Sequence, residues 1–121
     1  MEAIGKKYLP LITNLYDEYL GSMKNEVIFS SGSETQEAST MHSYNAYKLR
    51  VLCEKLDRVR IFLETGTIPD HESTLEYLFS VLDGIDNVIQ NEVLACNYDI
   101  CSELSALSDA IRDRFLESEK S

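Results

Sequence analysis

Seven carboxylates have the spacing from which this chain could build a site. Glu72, Glu76, Asp83 and Asp86 fall along one edge of a helical pattern, and Asp109, Asp113 and Glu117 recur at four-residue intervals further on. Acidic side chains mounted on helices can hold a divalent cation, or they can dock against Lys and Arg of a partner. The pattern opposes the first use. Di-iron bundles need Glu-x-x-His pairs, and neither His42 nor His71 has a carboxylate three residues before it. Helical pyrophosphohydrolases hold magnesium with E-x-x-E and E-x-x-D on two helices, and here only Asp83-x-x-Asp86 approaches that form. A triphosphate would also want cations nearby, and residues 62–111 contain no Lys or Arg. No metal site and no cofactor are therefore expected. A magnesium-dependent nucleotide hydrolase is kept as a minor alternative.

The other reactive residue types offer less. Phosphotransfer bundles carry His-x-Leu-Lys-Gly, whereas this chain reads His42-Ser43-Tyr44-Asn45-Ala46, with a bulky Tyr44 and no glycine. A histidine-phosphotransfer role is the other minor alternative, and His42 is expected to be an ordinary polar side chain. Cys53, Cys96 and Cys101 are odd in number and lack zinc spacing, so they are expected to be reduced and mostly buried. Nothing links them to either histidine as a nucleophile–base pair. The chain is expected to have no catalytic residues.

Charge is the stronger signal. Residues 62–111 hold ten carboxylates and no base, so the net charge of −10 belongs to that stretch. Residues 1–61 balance eight acids against eight bases, and residues 112–121 hold three of each. A one-signed surface repels nucleic acid and anionic membranes and attracts basic partners. Five bases, Lys48, Arg50, Lys55, Arg58 and Arg60, crowd into the second helix and are expected to pair with acidic neighbours.

Helices must position these groups. With 121 residues, five Gly and two Pro, the chain has one domain's length and few turn formers. Tyr8, Ile12, Leu15, Tyr16, Tyr19 and Met23 share a face of a first helix over about residues 8–27, with Pro10 in its first turn. Residues 30–37 read as a mobile polar loop in which Ser33 and Gln36 resemble a capping box. A long second helix follows with Met41, Asn45, Leu49, Leu52, Leu56, Val59 and Leu63 in near-heptad register, ended by Gly66. Asn45 at a core position is expected either to fix register or to face water. A turn at Thr67, Ile68 and Pro69 leads to a third helix capped by Asp70 or Ser73, with Leu75, Leu78, Leu82, Ile85 and Ile89 inward. A fourth helix capped by Asp99 turns Ile100, Leu104, Leu107, Ile111 and Phe115 inward.

The expected fold is all-α: an antiparallel four-helix bundle with a long second helix, one domain over residues 1–121, with a homodimer as an open alternative. Two helices carry more apolar surface than one seam uses. Tyr44, Tyr47, Val51 and Phe62 on the second and Tyr77, Val81 and Val88 on the third mark either a wide central face or an interface. The leading functional expectation is a cytoplasmic, non-catalytic interaction module of the inhibitor, immunity-protein or adaptor kind. Its acidic stripes would bind the basic surface of a partner protein, without direct nucleic-acid or membrane binding. The alternative is a structural subunit that assembles through those apolar flanks.

Overall fold

The structure, a computed structural model, describes residues 2–66 and 74–115. It consists of α1 (Glu2–Ser31), α2 (Gln36–Thr65), α3 (Thr74–Leu94) and α4 (Tyr98–Phe115), and the described residues contain no strand. These helices form a bundle around one buried cluster to which all four contribute, with Ile12, Leu56, Phe62, Ile85, Leu104 and Ile111 at its centre.

Of the stripe predicted for α1, Tyr8, Ile12, Leu15 and Tyr19 are buried, while Tyr16 and Met23 are half-buried. Its limits differ from expectation. The helix starts at Glu2, so Pro10 sits well within it, on the exposed side and not in the first turn. A proline there removes a helical hydrogen bond at a cost of about 3 kcal/mol. Packing of the preceding segment offsets that cost. Tyr8 is buried, and Gly5 approaches α2 so closely that a Cβ on it would stand 2.7 Å from the Leu63 carbonyl oxygen.

The loop expected over residues 30–37 is shorter than predicted, with half of it taken up by helix. α1 continues through Ser31 and α2 begins at Gln36, leaving four residues to connect them. Ser30 Oγ reaches the Ser39 carbonyl at 3.0 Å and Ser43 Oγ at 2.6 Å, tying the two helices just before the connection. The N-cap is Thr35, whose hydroxyl accepts from the Ala38 N–H at 3.1 Å, and not Ser33, whose hydroxyl donates back to the Phe29 carbonyl. At the other end Gly66 closes α2 as expected. It adopts φ 64°, the left-handed conformation for which glycine pays no Cβ penalty, and its N–H donates to the Phe62 carbonyl. The expected turn at Thr67, Ile68 and Pro69, the caps Asp70 and Ser73, and His71 lie outside the described residues.

On α3 the inward face is rotated from the predicted one. Leu75 is 43% exposed, whereas Tyr77, Val81 and Val88 are at most 5% exposed and belong to the common core with Leu78, Leu82 and Ile85. Phe62 on α2 is fully buried too, against Tyr77 and Phe115. These flank residues therefore form a wide central face. α3 meets α2 on one side and α4 on the other, so both flanks of its stripe are used within the chain. Of the two alternatives for Tyr77, Val81 and Val88, they form the wide central face, and their place in an apolar interface is corrected accordingly.

Between α3 and α4 the chain turns without a glycine. Cys96 takes φ 61°, its N–H donates to the Val93 carbonyl, and the Asn97 N–H donates to the Glu92 carbonyl. This crossed pair closes a helix end in the Schellman manner, with cysteine in the position glycine usually fills. Asn97 then precedes α4, and its carbonyl accepts from the Cys101 N–H, so the capping position falls two residues before the predicted Asp99.

Candidate functional site

Outward-facing acids define the face of α3 and α4. Glu76, Asp83 and Asp86 are exposed on α3, and Asp109 and Asp113 on α4; Glu72 and Glu117 lie outside the described residues. Asp83 accepts from Lys55 Nζ of α2 at 3.2 Å, and Asp109 lies 3.6 Å from Arg112 on its own helix. Asp86 is 3.4 Å from the Gln90 side-chain amide. Pairing of the second helix's bases with acidic neighbours is seen at Lys55, at Arg50 with Glu54, and at Arg60 with Asp57, while Arg58 reaches Ser80 Oγ. Asp99 and Glu103 are also exposed on α4 and extend the acidic face. Sequence reasoning assigned Asp99 to the cap of the fourth helix and left Glu103 out of the stripe, although both lay in the same base-free stretch at four-residue spacing. Among the described residues, no group of three or more His, Cys, Asp or Glu is placed to hold a metal ion.

One polar cluster escaped the sequence reading altogether. Glu92 on α3 is 3% exposed, and its carboxyl group takes partners from two other segments. Tyr19 of α1 donates to Oε1 at 2.5 Å, and Asn97 in the α3–α4 turn donates to Oε2 at 2.6 Å. Asn91 donates in turn to the Tyr19 hydroxyl at 3.1 Å. Burial pushes the Tyr19 phenol well above its ordinary range, and the hydrogen bond to Glu92 adds to the rise. Among the described residues no buried side-chain nitrogen or oxygen lacks a hydrogen-bond partner, and this cluster supplies those of Glu92. It fixes the top of α3 against α1, which makes it a clamp, since no reactive group of the cluster opens to solvent. The signal available beforehand was the tyrosine on the α1 stripe, whose buried hydroxyl required a partner; what the sequence could not supply was that the partner stood 73 residues away.

His42 stands on the inner side of α2 near its start, its Nδ1 2.5 Å from Glu26 of α1 and its ring 5.5 Å from that of Phe29. The cysteines differ from expectation in one case. Cys53 is buried, with its thiol pushed up by desolvation and then by Glu54, and Cys101 is half-buried with Sγ 3.7 Å from the Ile89 carbonyl, but Cys96 is exposed. All three are free thiols.

Apolar exposure concentrates elsewhere. Of the flank expected on α2, Tyr44 and Tyr47 are 60% and 58% exposed and Val51 is half-buried. Asn45 is half-buried too. Met41, predicted to be core, is open, as are Val27, Ile28 and Phe29 on the facing end of α1. Among the described residues, no helix is long and apolar enough to cross a membrane. Compared with protein-family models, characterised proteins and solved structures, the chain matches none.

Proposed function

We propose that this chain is a non-catalytic, cytoplasmic interaction module whose α3–α4 face docks on a basic surface of another protein. The observation that carries the reading is the segregation of charge by helix pair. Residues 74–115 hold eight acids against two bases, Arg112 and Arg114, both in the last turn of α4, while residues 2–66 carry eight of the chain's bases. We read the helices as running antiparallel in chain order, which turns the outer surfaces of α3 and α4 to the same side of the bundle. Glu76, Asp83, Asp86, Asp99, Glu103, Asp109 and Asp113 then stand on rigid supports. Buried apolar residues of the same helices, Leu78, Ile85, Leu104 and Ile111, fix their orientation. A prearranged field of this kind speeds encounter and selects partners by sign.

The test is recovery of a partner from native cells by the intact chain and by a variant with Glu76→Gln, Asp83→Asn, Asp86→Asn, Asp109→Asn and Asp113→Asn. The intact chain should retain a basic protein that elutes as salt rises toward about 0.5 M, because screening shortens the reach of surface charge to a few ångströms. The neutralised variant should keep its helicity and lose the partner. Retention of the same partner by the variant, or elution independent of salt, would refute the docking role. The second reading, a structural subunit, is favoured by the exposure of Tyr44 and Tyr47; it can no longer draw on Tyr77, Val81 or Val88, which the core consumes.

A further inference from the structure

α1 and α2 are each 30 residues long, against 21 for α3 and 18 for α4. The α3–α4 turn is pinned beside Tyr19 through Glu92 and Asn97, and α1 runs on from Tyr19 to Ser31. The register of α2 on α3, with Lys55 at Asp83, brings the end of α3 level with about Tyr44, and the eight residues of α2 before it, at about 1.5 Å each, carry the α1–α2 pair roughly 12 Å beyond the other two helices. The lower part of the molecule thus has four helices in cross-section and the upper part has two.

That overhang displays the continuation of a packing stripe. Phe62, Val59 and Lys55 pack α2 onto α3, with Phe62 against Tyr77 and Lys55 on Asp83. Helical spacing carries the same stripe upward through Val51, Lys48, Tyr44 and Met41. There Tyr44 and Met41 are open, with Lys48 held over the Tyr44 ring at 4.9 Å. Leu94 and Tyr98, flanking the pinned turn where α3 and α4 stop, are 85% and 62% exposed.

We propose that a second copy of this chain covers the overhang, the two α1–α2 ends packing against each other about a two-fold axis. Two arguments select a second copy. The first is area. Side chains of this size bury on the order of 200 Å² each. Phe29, Met41, Tyr44, Tyr47, Leu94 and Tyr98, more than half exposed, therefore offer roughly 700–900 Å², which matches the ~800 Å² that each partner contributes to a stable interface. A paired overhang also restores a four-helix cross-section where each copy alone has two. The second argument is charge. Residues 20–48 hold three acids and two bases, whereas residues 74–115 carry a net −6. Like chains that repel through α3 and α4 can meet through this near-neutral end, which touches the acidic face at its Tyr98–Asp99 margin. This pairing leaves the acidic face open and stands independently of the partner proposed for it.

Sedimentation equilibrium of the full chain tests the assignment, with the pair Tyr44→Glu and Leu94→Glu as the variant. The intact chain should show a dimer at about 100 µM that dissociates on dilution and does not weaken as salt rises. The variant should be monomeric over the same range, its dissociation constant raised at least tenfold, with unchanged far-UV circular dichroism. If the variant loses helicity, Lys48→Ala with Met41→Ser, substitutions confined to the open stripe, should weaken the dimer without unfolding. An intact chain that stays monomeric at every concentration overturns the assignment and leaves the overhang to a different protein. A dimer of undiminished affinity in the variants overturns it equally, and one that dissociates as salt rises places the contact on charged surface instead.

Discussion

Replacing Tyr19 by Phe tests how the top of the bundle is held. The substitution deletes one oxygen and keeps the ring, which is 5% exposed. Glu92 Oε1 then loses its donor at 2.5 Å, while Oε2 keeps Asn97 and the carboxyl group stays sealed under the same neighbours. A buried polar group left without its partner costs about 1–3 kcal/mol, and an acid stands toward the upper half of that range, so a loss of about 2 kcal/mol is expected. For a domain of this length that corresponds to a fall of roughly 8 °C in Tm. Glu92→Met, which removes the other partner, leaves the Tyr19 hydroxyl with Asn91. Replacing both by apolar side chains of similar size should recover most of the sum of the two single losses. Urea unfolding of the four proteins at neutral pH, with unchanged slopes, measures this. A Tyr19→Phe loss below about 0.5 kcal/mol, or a double variant that loses the full sum, would refute the reasoning.

Three further outcomes follow. Stability should decline in alkali: the folded state holds the Tyr19 proton more tightly than the unfolded chain, so this contribution is complete below the unfolded phenol value of about 10 and fades as pH rises beyond it. Cys53, also raised, adds to the same trend, and a urea midpoint that falls less steeply above pH ~10 in Tyr19→Phe than in the parent would assign the share of each. Cys96→Gly should stabilise by about 0.5–1 kcal/mol in thermal unfolding, because the left-handed conformation of the α3–α4 turn suits a residue without Cβ. Val81→Ser and Val88→Ser, each emptying and polarising a site with no solvent exposure, should each cost about 2–4 kcal/mol and broaden the amide NMR spectrum, whereas the same change at Met41 should cost under about 0.5 kcal/mol.

Helix content and most of the apolar stripes follow from spacing along the chain. Ile12, Leu15, Leu56, Val59, Leu104, Leu107 and Ile111 recur at three- and four-residue intervals, and a residue's place on a helix is a local property. Gly66 shares that locality, because its conformation depends on having no Cβ wherever the helix lies. The limits of α1 were harder to read for the same reason inverted. Pro10 is a local signal for a first turn, and contacts of Tyr8 and Gly5 with the rest of the bundle outweighed it. The face that α3 buries also depended on its neighbours: Tyr77, Val81 and Val88 were visible as apolar but not as inward, since a stripe of given width serves either two neighbours inside the chain or one inside and one outside.

By itself, then, the sequence determined the number of helices, the side of each that is apolar, and the confinement of excess negative charge to the second half of the chain, because composition and periodicity need no knowledge of distant residues. Only the tertiary structure decided that Glu92 is sealed beneath Tyr19 and Asn97, that the α3 flanks are consumed in the core, and that the ends of α1 and α2 stand clear of the other two helices. Each of those outcomes is a relation between segments far apart in the chain. Burial is set by what packs alongside, and a side chain's type cannot announce its neighbour.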